Sequence, residues 1–199
     1  MEKREPYGFK FENRDIELAL KTLDEGGVIL YPTDTIWGLG CDATNEKAVE
    51  RIYTIKKRSD SKSMLVLMEN VNFLERYIEE VPEIAYDLIE VADKPLTIIY
   101  PAAKNLAQNL PATDSSIGIR ITHEAFTQKL LQRFRKPIVS TSANISGEPS
   151  PLTFADISES VLSQVDYIVR YRQDDLQPAT PSSIIKLGVG GQIEIIRKF

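Results

Sequence analysis

Apolar residues recur at helical spacing in several segments of the chain. Between residues 15 and 25 they fall at positions i, i+3, i+4 and i+7, which predicts an amphipathic helix ended by Gly26 and Gly27. A second helix is predicted from Asn45, a good N-cap, to a basic C-terminal end at Lys56 and Arg58. Further helical patterns cover residues 73–77, 83–91, 124–134 and 156–162.

Short apolar runs between these helices predict β-strands. The run from Ser116 to Thr122 alternates apolar and polar residues, so we expect a half-buried strand with Arg120 at one end. Strands alternate with helices early in the chain, and a hairpin through GVGG follows late, which indicates an α/β fold with a mixed sheet in one domain. The predicted strands are VILYP, MLVLM, LTIIYP, SIGIRIT, PIVS, DYIVR, SIIKL and IEIIR.

Composition narrows the classes of site that the chain can hold. Its 199 residues are long enough for one substantial core, and Cys41 and His123 are the single cysteine and histidine. A disulfide, a thiolate metal cluster and a His-based zinc site are therefore excluded, and no metal-binding side chains are expected. The net charge of -5 argues against broad nucleic-acid binding. Without a signal peptide or membrane span in the sequence, we expect a soluble, cytoplasmic protein.

Polar clusters follow three of the predicted strands or helices. They are PTDT (residues 32–35), SDSKS (59–63) behind Lys56 and Arg58, and STSANISG (140–147). Ligands of open α/β sheets bind outside the carboxyl ends of strands, so we expect these clusters to converge on one site.

Each cluster has a structural and a functional interpretation. Lys56 and Arg58 either complement the helix dipole or, with Lys62, clamp a phosphate. STSANISG either forms a Ser/Thr turn or supplies neutral hydrogen-bonding groups for a polyphosphate or an amino acid. Thr33 and Thr35 either cap a turn or hold a small polar substrate.

Four other residues carry individual expectations. Arg120 needs an anionic partner, which is Asp93, Asp114 or a ligand. His123 is expected to cap the following helix, Trp37 to pack, and Cys41 to be a small buried hydrophobic residue.

Six motifs in register resemble the YrdC domain, the threonylcarbamoyl-AMP synthase family of tRNA modification. The resemblance runs from about Gly26 to Arg197. Beside the K-x-R of Lys56 and Arg58, the motifs that carry it are GGVILYPTDTIWGLGCDA, KPLTIIYPA, SIGIRIT, STSANISG and ATPSSIIKL. The chain departs from the family pattern at Ser59, at Leu67, and at residues 91–94.

The resemblance implies a twisted, mixed to mostly antiparallel open sheet flanked by helices, with residues 1–13 as an N-terminal segment and 14–199 as the domain. It also implies a reaction in which L-threonine, bicarbonate and ATP, with Mg2+, give threonylcarbamoyl-AMP and pyrophosphate. A partner enzyme then transfers the threonylcarbamoyl group to tRNA. Weak direct RNA binding is a further expectation, and a YciO-like nucleotide- or RNA-binding paralogue without threonine activity is the alternative.

The same resemblance implies roles for individual residues. L-Threonine would be held by Thr33, Thr35, Arg120, Ser140 and Ser182. ATP would be held by Arg58, Lys62, Ser116, Ser142, Ser150 and Arg197. The implied catalytic set is Lys56, Arg58, Ser142 and Asn144.

Overall fold

The computed structural model describes residues 11–58, 64–177, 180–188 and 192–198. Within these ranges nine strands form one sheet in the order β7-β1-β2-β6-β3-β5-β4-β8-β9. Three neighbouring pairs are parallel and five are antiparallel, which confirms the predicted mixed open sheet. The strands are β1 Ile29–Tyr31, β2 Gly38–Gly40, β3 Leu65–Met68, β4 Leu96–Tyr100, β5 Ile117–Ile121, β6 Ile138–Ser142, β7 Tyr167–Ile168, β8 Ser183–Leu187 and β9 Ile193–Arg197.

Helices cover both faces of the sheet. They are α1 Asn13–Asp24, α2 Glu46–Lys56, α3 Leu74–Tyr77, α4 Ile84–Val91, α5 Ala125–Phe134 and α6 Glu159–Leu162, with 3-10 turns at Val71–Phe73 and Phe154–Asp156. None of these helices has the length and hydrophobicity needed to cross a membrane.

Strand alternation divides the core into two layers. Ile29 and Tyr31 join the cluster that includes the buried stripes of α1 and α5, whereas Val28 and Leu30 join the larger cluster that includes the buried side of α2. Successive strand residues point to opposite faces, so β1 contributes to both layers and reads as continuously apolar.

Local capping follows the sequence at α2 and differs from the expectation at α5. The Asn45 side chain accepts from the backbone N–H groups of Lys47 and Ala48, as predicted. At α5 the prediction for His123 was wrong, because the carboxylate of Glu124 accepts from the N–H groups of the second and third helical residues. His123 itself is exposed.

Two strand assignments also needed correction. The sequence pattern does not predict β2, because GLG contains two glycines and lies inside a longer motif. A Cβ at Gly40 would lie 2.6 Å from the Tyr31 ring, so close strand packing requires glycine there. In addition, β6 runs to Ser142, so the first three residues of the STSAN stretch are strand and not loop.

Candidate active site

Strand register aligns polar and apolar side chains across one face of the sheet. Leu67 lies opposite Arg120, which lies opposite Thr97, and the same row continues through Ile184 to Arg197 on β9. Directly paired residues point to the same face of a sheet. Leu67 belongs to the core beneath α1 and α5, and further along this row the same face opens into a cleft.

The cleft has a volume of about 280 Å³. Among the described residues that line it there are three arginines, several hydroxyl side chains and no carboxylate. The lining comprises Thr35, Ile36, Trp37, Gly38, Arg58, Met64, Leu65, Arg120, Ser140, Thr141, Ser142, Ser150, Pro181, Ser182, Ile184 and Arg197.

Arg120 is the most deeply buried cation of this lining, with 3% of its surface exposed. Its Nη2 lies 3.0 Å from Oδ1 of Asp34 and donates to Oγ1 of Thr35 at 3.2 Å. Asp34 is therefore its carboxylate partner, and the expectation of Asp93 or Asp114 was wrong. The buried Nε of Arg120 has no hydrogen-bond partner among the described residues. A guanidinium that lines a cleft and whose donors are not all paired within the protein is suited to an anionic ligand.

The turn of residues 32–36 positions both partners of Arg120. Oγ1 of Thr33 donates to the carbonyl of Ile36 at 2.8 Å and accepts from the N–H of Thr35 at 3.0 Å. Thr33 thus stabilises the turn, while Thr35 presents its hydroxyl to the cleft. Thr33 therefore takes the turn-capping role, and the substrate-holding role of Thr35 stays a prediction.

The opposite wall is built around Ser182. Its Oγ lies 2.8 Å from Oγ1 of Thr97, and its carbonyl accepts from Nε of Arg197 at 2.9 Å. Burial lowers the pKa of Arg197, and the nearby positive charge of Arg120 lowers it further. This part of the cleft therefore concentrates positive charge that an anion would stabilise.

Lys56 lies behind the cleft wall and holds the loop that follows β6. Its Nζ donates to the carbonyl oxygens of Ser142 at 2.5 Å and Asn144 at 2.8 Å, and to Oδ1 of Asn144 at 3.3 Å. The amide nitrogen of Asn144 donates in turn to the carbonyls of Ile145 and Glu148. Lys56 and Asn144 therefore shape the 142–148 loop through contacts within the protein.

The pKa of the Lys56 side chain also depends on its surroundings. Burial and, to a smaller extent, the neighbouring Arg58 lower its pKa from 10.5 to about 8. Burial likewise lowers the pKa of Arg58. A negative ligand on Arg58 would favour the charged forms of both side chains.

Comparison with known proteins connects this cleft to a family. A family model named Sua5_yciO_yrdC, with the description "Telomere recombination", matches residues 21–198. The chain belongs to the Sua5/YciO/YrdC family. The threonylcarbamoyl-AMP synthase of Pseudoalteromonas translucida is 35% identical over 181 residues, which are 89% of this chain and 95% of that protein. That of Coxiella burnetii strain RSA 493 is 34% identical, covering 90% and 96% of the two chains.

Solved structures of the family share the fold. P. abyssi Sua5 complexed with L-threonine has a TM-score of 0.80 and 27% identity, covering 89% of this chain and 52% of that chain. E. coli YciO has a TM-score of 0.81 and 26% identity, covering 94% and 90%. This chain thus spans about half the length of the Sua5 structure and most of the length of YciO.

The structure brings eight of the family-implied residues to the cleft. They are Thr35, Arg58, Arg120, Ser140, Ser142, Ser150, Ser182 and Arg197. Thr33, Lys56 and Asn144 lie next to it and support its walls. Ser116 is not part of the described lining, and its Oγ donates to Asp114 just before β5. Lys62 and Ser59 lie outside the described residues.

One residue beside this site was not predicted from the sequence, whereas the expectations for Trp37 and Cys41 are met. Asp34 was not singled out, although its place between two predicted contact residues was a usable signal. Trp37 packs on Phe154, with 5.0 Å between ring centroids, and Cys41 is fully buried, as predicted. Leu67, one of the departures from the family pattern, is fully buried and is not part of the described cleft lining.

Proposed function

We propose that the protein is a threonylcarbamoyl-AMP synthase that forms threonylcarbamoyl-AMP and pyrophosphate from L-threonine, bicarbonate and ATP. The observation that carries this proposal is Arg120, a buried arginine with an unpartnered Nε in a cleft lined by hydroxyls and two further arginines. Curated relatives over nearly the whole chain carry the synthase name, and a related structure is a complex with L-threonine.

Arg120 defines the amino-acid end of the cleft in this proposal. Its guanidinium would pair with the threonine carboxylate, while Asp34 and Thr35 hold the Nη2 corner in place. Ser140 and Ser182 offer hydroxyls on the neighbouring walls. Their neutral donors and acceptors suit the amino and hydroxyl groups of the substrate.

Arg58, Ser142 and Ser150 define the nucleotide end, and Arg197, which donates to Ser182, lies where the two ends meet. The two arginines would contact phosphate oxygens. Burial lowers the pKa of both side chains, so an anion beside them would stabilise their charged forms. Lys62 and Ser116 keep their implied nucleotide roles as predictions. Lys56 and Asn144 would act by holding the 142–148 loop against the nucleotide.

The cleft fits an adenylyl transfer that needs no protein nucleophile. The threonine amine and bicarbonate give a carbamate and water, and a carbamate oxygen then attacks the α-phosphorus while the bond to the departing pyrophosphate breaks. Positioning and charge neutralisation by arginines and hydroxyls supply what such a step requires.

Mg2+ would enter with ATP as its phosphate complex. No group of three or more His, Cys, Asp or Glu side chains in the described ranges is placed to hold a metal ion, and the described cleft lining has no carboxylate. The cation would therefore be held through ATP and not by carboxylates of the described lining, and it would supply charge neutralisation at the phosphates. In the cell, a partner enzyme would transfer the threonylcarbamoyl group to tRNA.

The test is pyrophosphate release by the purified protein with ATP, Mg2+ and bicarbonate, with and without L-threonine. Release that requires both L-threonine and bicarbonate supports the synthase. Bound ATP with no threonine-dependent release would overturn it in favour of a YciO-like paralogue. L-Serine in place of L-threonine is the matched substrate control.

A further inference from the structure

A buried ion pair outside the cleft joins the two segments that form its amino-acid end. Nε and Nη2 of Arg172 donate to Oδ2 of Asp175 at 3.0 and 2.9 Å, and both side chains are largely buried. The segment that carries them connects β7 to β8. Neither residue lines the 280 Å³ cleft.

Arg172 reaches from this pair to the turn of residues 32–36. Its Nη1 donates to the carbonyl oxygen of Thr33 at 3.1 Å. From the other side, Oγ1 of Thr127 on α5 donates to the carbonyl of Pro32 at 3.1 Å. The carbonyls that begin the turn are thus held by two side chains from different elements, and the next two residues are the Asp34 and Thr35 that hold Arg120.

Asp175 also contacts the backbone of the segment that leads to Ser182. Its Oδ1 accepts from the N–H of Gln177 at 3.0 Å, which orders the start of the connection that leads to Ser182. One ion pair therefore fixes the turn that presents Thr35 and also the beginning of the segment that presents Ser182. The backbone of Arg172 has φ 63°, an unfavourable conformation for a non-glycine residue.

We propose that Arg172 is a positioning residue for amino-acid binding, acting through the 32–36 turn on Asp34 and hence on the guanidinium of Arg120. This inference rests on the proposed function and names a further residue that the threonine end of the same site requires. Displacing reacting or binding groups by about 1 Å can cost about 100-fold in rate, so loss of this anchor is expected to be measurable. The nucleotide end is held separately, by Lys56 and the 142–148 loop.

The deciding experiment compares Michaelis constants for L-threonine and ATP in Arg172→Gln and in wild type. We expect the KM for L-threonine to rise about 10-fold or more, while the KM for ATP changes less than about 2-fold, since the anchor acts on one end of the cleft. Arg172→Lys keeps the positive charge near Asp175 and loses the planar guanidinium. Its KM for L-threonine should therefore lie between those of wild type and Arg172→Gln. The control is Arg51→Gln, which removes a bidentate pair with Asp166 away from the cleft and should leave both constants unchanged.

Equal rises in both Michaelis constants, or no rise in either, would overturn the inference, because a purely structural role would not distinguish the substrates. If Arg172→Gln does not fold, Asp175→Asn provides the second variant and should show the same selective rise. Combining Arg172→Gln with Asp34→Asn should cost less than the sum of the single effects, because both act through one turn.

Calorimetric binding of L-threonine separates this inference from the proposed function. Wild type that binds L-threonine without turnover would contradict the synthase, and weaker binding by Arg172→Gln would then still support the inference. Wild type that neither binds L-threonine nor turns it over would overturn both.

Discussion

Nζ of Lys56 lies 2.5 Å from the carbonyl oxygen of Ser142, in one of three contacts by which this ammonium group holds the 142–148 loop. The two ends of the K-x-R motif therefore face different environments. Lys56 binds backbone carbonyls behind the cleft wall, and Arg58 lines the cleft. Removing either residue should impair nucleotide binding for a different reason.

Lys56→Met should weaken ATP binding about 10-fold or more, because the buried carbonyls of the loop lose a charged donor. Isothermal titration with a non-hydrolysable ATP analogue measures the change. The affinity for L-threonine should remain within about 2-fold of wild type, since Arg120 is held by Asp34 and Thr35 and Lys56 contacts Ser142 and Asn144. An unchanged ATP affinity would show that the loop keeps its shape without the lysine.

The pH dependence of ATP binding should also report on Lys56. In the free protein burial lowers the pKa of this group to about 8, below its ordinary value of 10.5, and phosphate near Arg58 should raise it again. Binding above pH 8 then requires proton uptake, so the affinity should fall as the pH rises above about 8. Titrations between about pH 6.5 and 9.5 test this, and the decline should be absent in Lys56→Met.

Arg58→Ala should lower threonine-dependent pyrophosphate release by about 100-fold or more, as expected for the loss of one preorganised charge contact in the transition state. Lys57→Asn is the matched control. Lys57 is exposed at the end of α2 with φ 48°, a conformation that asparagine tolerates. Full activity of Arg58→Ala would remove Arg58 from the proposed site.

Arg120→Lys should raise the KM for L-threonine about 10-fold or more, although the charge is retained. A lysine ammonium cannot contact Asp34, Thr35 and a substrate carboxylate with the planar geometry of a guanidinium. The KM for ATP in the same variant is the internal control. If only the KM for ATP rose in this variant, the amino acid would not bind at Arg120.

Gly40→Ala should destabilise the protein by about 1–3 kcal/mol, because the added methyl group would lie 2.6 Å from the Tyr31 ring and 3.0 Å from Ile138. Urea unfolding followed by circular dichroism measures this. Gly147→Asn should cost less than about 1 kcal/mol, since no described atom beyond the adjacent residues lies within 4 Å of the added Cβ and asparagine tolerates positive φ. Similar losses for both variants would contradict the close contact proposed for β2.

Sequence periodicity was sufficient where local physics decides the structure. The apolar stripe of Asn13–Asp24, the Asn45 cap and the hairpin partners β8 and β9 were all predicted within one or two residues. Such elements depend on neighbours a few positions away along the chain. The strand β2 was missed, because its glycines are explained only by the rings and backbone that pack against them.

The candidate site divides in the same way. The clusters of hydroxyls and cations after strands, together with the family resemblance, indicated which residues belong to the cleft. The sequence could not tell which member of each cluster faces it. Thr33 and Thr35 are chemically alike and two positions apart, yet one hydroxyl closes the turn and the other contacts Arg120.

The sequence by itself determined the fold class, the family and the chemical character of the site, because these follow from local patterns and from motifs read in order. The tertiary structure alone decided that Asp34 is the partner of Arg120 and that Lys56 holds the loop beside Ser142. It also decided that Arg172 reaches Thr33. Each of the last two contacts joins residues more than eighty positions apart, and Asp34 reaches Arg120 across a similar separation. Such pairings depend on strand order and register, and no local pattern in the chain specifies either one.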